Sequence, residues 1–210
     1  MLLCINSSVR DEGSRSRLLV DQFSAAWRDH HPGEAIAWRD VGKNPPSHPS
    51  ADYITANYTS PEKRTREMVA VLEESDQLID EIFSATHLVF GVPMYNFCVP
   101  SMLKAYIDNL VRIGRTFRVM PDGGFEGLLS GKKMVVIVAK GAIYAKGTSM
   151  ESFDHVEPYM RTVFGFMGVV DMQFVAADGM DFGDEEYRDI SFAKAGYELK
   201  KIVERWQLER

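Results

Sequence analysis

Cysteine is almost absent from this chain: Cys4 and Cys98 are the two among 210 residues. A disulfide framework needs more, so the fold must rest on its own core, and the low thiol count points to a reducing, cytoplasmic setting. Long apolar runs are missing too. No stretch approaches the ~18 apolar residues of a membrane helix, and the opening MLLCINSSVRDEG turns polar too soon for a signal peptide. In that setting Asn6-Ser7-Ser8 and Asn57-Tyr58-Thr59 are chance matches to the glycosylation pattern. Basic charge is also short. With 24 Lys and Arg against 30 Asp and Glu, the formal net charge is -6, and no basic stripe offsets it, which argues against a nucleic-acid partner. The five histidines show no metal-ligand spacing, so no metal site is expected. No G-x-G-x-x-G follows a strand, Gly131-Lys132 runs into Lys133 without the upstream glycine of a phosphate-binding P-loop, and no G-x-S-x-G elbow exists for a hydrolase.

What is present is an alternation. The chain, 45% hydrophobic and 26% charged, reads as one domain over 1–210 with ample length for a core. Residues 2–5 form a short apolar strand, followed by a polar segment at 6–16. An amphipathic helix comes next, with Leu18, Leu19, Phe23, Ala26 and Trp27 on one side, ending near His31-Pro32-Gly33. Residues 34–39 read as a second strand. Between 40 and 61, Pro45, Pro46, Pro49 and Pro61 predict an irregular segment, and 62–83 a helix burying Met68, Val71, Leu72, Leu78, Ile79 and Ile82. Strands at 87–92, 134–139 and 170–176 bring the number to five, and the unbroken MVVIVA at 134–139 suits a parallel strand covered on both faces. Pro121-Asp122-Gly123-Gly124 marks a turn, and helices are expected at about 152–166 and at 184–207.

Residues 88–117 carry the most information. An apolar run ends in Gly91, and a helix with Leu103, Tyr106, Ile107, Leu110 and Gly114 on one face follows; Lys104, Asp108, Arg112 and Arg115 lie on the other, with Lys104–Asp108 and Asp108–Arg112 as i,i+4 pairs. Between them, Pro93 and Pro100 stiffen a loop that holds Met94, Tyr95 and Phe97, large apolar groups where a solvated loop would be polar. Either another part of the protein, a second subunit, or a flat aromatic ligand must cover them.

Strands alternating with helices imply a doubly wound α/β fold, a five-stranded parallel sheet with helices on both faces, whose ligands bind beyond the carboxyl ends of the strands where strand order reverses. The loops at 6–16, 91–100 and 140–148 should meet there. The first offers Ser7, Ser8, Ser14 and Ser16 just before a helix, with Arg10, Arg15 and Arg17 beside them, a donor set for a phosphate or, more simply, a helix cap. A phosphate loop facing an aromatic loop suits a mononucleotide with a large flat base, and flavin mononucleotide (FMN) fits both halves.

At this point the chain resembles the FMN-dependent NADH-azoreductases, flavodoxin-like enzymes that also reduce quinones. The likeness is carried by Pro93-Met94-Tyr95-Asn96-Phe97 with Leu103-Lys104, and by Ser14-Arg15-Ser16, Thr116-Phe117-Arg118, Glu126-Gly127-Leu128 and Gly165-Phe166-Met167-Gly168. The resemblance implies that Ser8, Ser14, Arg15 and Ser16 hold the FMN phosphate, and that Pro93, Met94, Tyr95, Asn96 and Phe97 line the isoalloxazine. The third loop would complete the cofactor site with Ala139, Lys140, Gly141 and Ala142, where the family has Ser-Arg-Gly-Gly. Tyr144 stands where relatives often have His, near the flavin face, in a position to place the acceptor. By the same resemblance, NADH or NADPH is the donor, a quinone or azo compound the acceptor, the cycle ping-pong, and the assembly a homodimer with a shared cavity. Tyr53, Tyr58, Phe125 and Leu129 are the candidates for its surface. Cys4 and Cys98 read as buried packing thiols. The alternative is a flavodoxin-like carrier that passes electrons to a protein partner, which direct reduction of its FMN by NADH would distinguish.

Overall fold

Five parallel strands form the sheet that the alternation predicts, and the computed structural model, which describes residues 1–208, sets helices against both of its faces. In chain order the first half runs β1 (Leu2–Asn6), α1 (Arg15–His30), β2 (Ile36–Asp40), α2 (Ala51–Tyr58), α3 (Arg66–Ser84), β3 (His87–Pro93) and α4 (Ser101–Leu110). The second half runs β4 (Phe117–Val119), β5 (Phe125–Gly127), β6 (Lys133–Ala139), α5 (Val156–Phe166), β7 (Asp171–Ala177) and α6 (Glu185–Leu208). The large sheet has the order β2-β1-β3-β6-β7, the flavodoxin-like arrangement, while β4 and β5 pair as a separate antiparallel hairpin.

The pleat explains how both faces are filled. Along β1, Leu2 and Cys4 point to one side and Leu3 and Ile5 to the other; along β6, Val135 and Ile137 oppose Met134, Val136 and Val138. The first set meets Leu19, Val20, Phe23 and Trp27 of α1 and Leu199, Val203 and Trp206 of α6. The second meets Ile79 and Ile82 of α3, Leu103, Tyr106 and Leu110 of α4, and Met160 and Phe164 of α5. Because a strand buried on both faces has no polar side to present, its sequence is continuously apolar. The order of crossovers then sets the location of the functional edge: the chain leaves β1 toward β2 and returns over it to β3, so winding reverses between the carboxyl ends of β1 and β3.

Several boundaries differ from the sequence expectation for local reasons. The segment at 40–61 contains α2, started by the Ser50 side chain accepting from Tyr53 N, and it covers a small cluster of Tyr53, Ala56 and Leu72. Tyr53 is therefore buried, as is Leu129, and neither is available to a partner surface. A short 3-10 turn at Pro61–Lys63 delays α3 until Thr65 caps it at Met68 N. At the other side of the fold, α5 begins only at Val156, after a 3-10 turn at Glu151–Phe153. The helix after the 93–100 loop stops at Leu110, where Thr116 Oγ1 donates to Leu110 O and accepts from Arg112 N. Arg112 consequently leaves the exposed face. It is 1% exposed and donates to Asp76 Oδ1 at 2.7 Å and Ser75 Oγ at 3.1 Å, so Asp108 pairs with Lys104 alone. The turn motif at 121–124 is the tip of the β4–β5 hairpin, with Met120 N donating to Gly124 O.

Gly91 shows how tightly α1 lies on this edge. A Cβ there would sit 2.7 Å from Val20 Cγ2 and 2.9 Å from Asn6 Oδ1. Gly91→Ala is expected to lower stability by about 1–3 kcal/mol through overpacking, read as a lower urea midpoint at unchanged m-value; an unchanged midpoint would contradict this packing.

Candidate functional site

Beyond β1 the chain does not scatter its polar residues into solvent. Ser7 is tied back to β3, its N–H and hydroxyl both donating to Gly91 O at 3.0 and 2.9 Å. Ser8 Oγ accepts from Arg10 N at 3.2 Å, and Gly13 turns the loop at φ +70° into the start of α1. Ser14 caps that helix, accepting from Arg17 N at 3.4 Å, and its hydroxyl lies 3.3 Å from that of Ser16. Ser7, Ser8, Ser14 and Ser16 are all buried. A helix amino terminus with buried hydroxyls is a seat for an oxyanion, because unpaired N–H groups and the helix dipole favour negative charge there.

Arg17 holds this loop in shape. Its guanidinium donates to Arg10 O at 2.9 Å and Ser8 O at 2.5 Å while pairing with both Asp40 oxygens at 2.5 and 2.8 Å. Burial pushes the Asp40 carboxyl up, but the Arg17 hydrogen bond and the Lys43 N–H outweigh it and hold the group below its ordinary value. Arg17 is thereby spent on the loop's own carbonyls. Arg15 instead lies over the Phe192 ring of α6, its guanidinium carbon 5.6 Å from the centroid.

The second loop is a tight turn. Tyr95 and Cys98 exchange N–H···O bonds of 3.0 and 3.1 Å, and the two residues between them, Asn96 and Phe97, have φ of 48° and 71°. Both central residues are left-handed, as in a type I′ turn, a conformation that costs a bulky side chain roughly 1–2 kcal/mol. Among the described residues, neither the Asn96 nor the Phe97 N–H has a backbone acceptor. Cys98 is half-buried rather than buried, and Cys4 is in the core, where burial pushes its thiol up to about 12.

The third loop is bound to the one after β7. Met94 N donates to Ala139 O, Lys140 N to Ala177 O, Met180 N to Lys140 O, and Asp181 N and Phe182 N both to Gly141 O, all at 2.8–3.1 Å. A recess opens between these loops. It brings together Ser8, Ser14, Arg15, Ser16, Pro93, Met94, Tyr95, Ala139, Lys140 and Gly141. Asn96, Phe97 and Ala142 do not line it. Phe97 instead extends to the rim, 42% exposed, where its ring centroid is 6.4 Å from Tyr144 and 5.5 Å from Phe153. Tyr144 is thus a rim residue outside the recess. The Lys140 ammonium is engaged by carboxylates, 2.7 Å from Asp154 Oδ2 and 3.5 Å from Asp178 Oδ1. The recess also takes in Arg10, Gly13, Met180 and Asp181. The last two follow the carboxyl end of β7, so the rule that singled out the other three loops applied to this fourth strand as well. No cluster of metal-ligating residues exists among the described residues.

Comparisons with known proteins agree with this geometry. A family profile described as flavodoxin-like fold matches residues 1–202. FMN-dependent NADH:quinone oxidoreductase 2 of Trichormus variabilis is 43% identical over 206 residues, covering 98% of this chain and 99% of that protein. FMN-dependent NADH:quinone oxidoreductase of Nostoc punctiforme is 42% identical over 205 residues, covering 98% of each. Among solved structures, an FMN-dependent NADH-azoreductase from Bacillus anthracis in complex with FMN is similar with a TM-score of 0.84 at 26% identity, covering 96% of this chain and 98% of that one. Since the profile runs from the first strand into the last helix and the relatives match from end to end, the chain belongs to the flavodoxin-like-fold family that includes the FMN-dependent NADH:quinone oxidoreductases.

Proposed function

We propose that this protein is an FMN-dependent NADH oxidoreductase that reduces quinones and azo compounds in a ping-pong cycle, donor and acceptor occupying the same space in turn. The observation that carries the reading is the pairing, across the strand-order reversal, of a buried serine cradle at the α1 amino terminus with a turn whose Asn96 and Phe97 N–H groups have no backbone partner. The relatives' names support the same assignment of cofactor, donor and acceptor.

The residues present fit FMN. Ser8, Ser14 and Ser16 supply hydroxyls, and α1 supplies N–H groups, for a phosphate. Pro93, Met94 and Tyr95 would line the ring on one side and the backbone of Ala139, Lys140 and Gly141 on another. When bound, the flavin supplies the hydride and two-electron chemistry that no side chain here provides. The protein's own part is to orient the ring, exclude water with the apolar Met94 and Tyr95, and offer the Asn96 and Phe97 N–H donors where negative charge develops. Tyr144 and Phe97 at the rim would stack against a flat acceptor. No nucleophile is required. The reading as an electron carrier for a protein partner has no support in these relatives, which are named as reductases of small molecules.

The reading extends to a cytoplasmic homodimer. Among the described residues no helix is long and apolar enough to cross a membrane. Phe125, 63% exposed, and Tyr58, 76% exposed, support a partner surface. Phe125 packs with Phe117 and Phe166 at centroid distances of 6.1 and 5.5 Å, an aromatic patch on the β4–β5 hairpin that a second copy would cover.

Two outcomes are expected. The purified protein should show a flavin absorbance band that NADH bleaches without oxygen, and quinone added after removal of NAD should restore it. A colourless protein without FMN affinity would contradict the cofactor assignment, and reduction that needs NADH and quinone together would contradict the ping-pong cycle. Light scattering at micromolar concentration should give twice the mass of the 23.7 kDa chain, shifting toward monomer in Phe125→Glu; a monomeric parent protein would overturn the shared cavity.

A further inference from the structure

Between the end of β6 and the start of α5 the chain makes an excursion whose middle, 145–149, is exposed. Its two ends are fixed on one buried ammonium. Lys140 Nζ, on a side chain 8% exposed, lies 2.7 Å from Asp154 Oδ2 and 3.5 Å from Asp178 Oδ1, both on carboxylates almost as deeply buried. Asp154 Oδ1 accepts from Val156 N at 2.9 Å, setting the first turn of α5. Lys140 itself follows the carboxyl end of β6, at the opposite end of the excursion from Asp154. Between these anchors, His155 N donates to Phe97 O at 3.0 Å, which ties the excursion to the strained turn of the second loop. The three rings at the mouth of the recess, Phe97, Tyr144 and Phe153, are therefore carried by backbone that this ion cluster holds.

Two carboxylates share one lysine in a site shielded from water, an arrangement that hydrophobic residues of similar volume would usually match in stability. Burial accordingly pushes the Asp178 carboxyl up, against the pull of Lys140. A cluster that contributes little net stability but fixes two backbone segments suits a geometric role.

We propose that Asp154, Lys140 and Asp178 are positioning residues for the acceptor: the ion cluster sets the spacing of Phe97, Tyr144 and Phe153, and so admits flat aromatic acceptors of bicyclic size to the mouth of the recess. The inference rests on the oxidoreductase reading above. The two carboxylates pair with Lys140 and not with the serine cradle, so FMN occupancy is read as a separate quantity.

The test compares the parent protein with Asp154→Asn, which keeps the shape and an acceptor for Val156 N but removes the charge. Steady-state constants are measured for 1,4-naphthoquinone and 1,4-benzoquinone, with FMN occupancy from absorbance and amide hydrogen exchange of 142–155. In Asp154→Asn the KM for naphthoquinone should rise about three- to tenfold, with kcat and the benzoquinone KM within about twofold. Exchange should quicken in 142–155 and not in the first loop. If Asp154→Asn does not fold, Asp178→Asn carries the same expectation. Equal changes for both quinones, loss of FMN in step with loss of activity, or unchanged exchange would each overturn the proposal. A parent protein that NADH does not reduce would instead overturn the oxidoreductase reading itself.

Discussion

Arg17 and Asp40 form the contact on which the functional edge depends. A seat for a phosphate has to keep donors unpaired yet out of water, and a free loop of serines would instead bond to itself or to solvent. Here the guanidinium takes the carbonyls of Ser8 and Arg10, and Asp40, at the end of the neighbouring strand, holds the guanidinium in place. Ser7 is tied to Gly91 on the other side. With the Ser8 and Arg10 carbonyls satisfied and both flanks fixed to the sheet, the loop places Ser8, Ser14 and Ser16 along one recess. The same contact joins β1, α1 and β2, so the seat is part of the sheet rather than an attachment to it.

The opposite side of the recess works by backbone strain. Asn96 and Phe97 sit in left-handed conformations that glycine would adopt freely, and the energy comes from the bonds that close the turn and from the Phe97 carbonyl taking His155 N–H. The turn leaves the Asn96 and Phe97 N–H groups without backbone acceptors and the Phe97 ring 42% exposed. One loop carries buried hydroxyls, the second a turn with two N–H groups lacking backbone acceptors, and the third a lysine held by two carboxylates. The contacts of Ala139-Lys140-Gly141-Ala142 run through backbone carbonyls and a buried ion cluster, neither of which needs a side-chain hydroxyl.

Periodicity made the sheet legible. MVVIVA at 134–139 has no polar position, and a strand of that kind can only be covered on both faces. The rule about carboxyl ends brought the three loops to one edge, and Ser8, Ser14, Ser16, Met94 and Tyr95 of those loops line one recess. What could not be read was set by long-range partners. Arg112 looks like a solvent-facing member of a helical charge pattern, but Thr116 ends the helix before it and Asp76, on a different helix, draws it inward. Tyr53 sits in a proline-rich segment that reads as irregular, and it is buried because Ser75 and the Asp108 carbonyl lie within reach of its hydroxyl. The engagement of Lys140 with Asp154 and Asp178 depends on where two later loops return.

The central claim is that the serine cradle at α1 recognises a phosphate attached to a flavin. Titration of flavin-free protein with FMN and with riboflavin, followed by quenching of flavin fluorescence, isolates that phosphate. Two charge-assisted hydrogen bonds predict FMN binding tighter than riboflavin by about 100-fold or more, with most of the difference lost in a Ser14→Ala, Ser16→Ala double variant. Equal affinity of the parent protein for FMN and riboflavin would contradict the account.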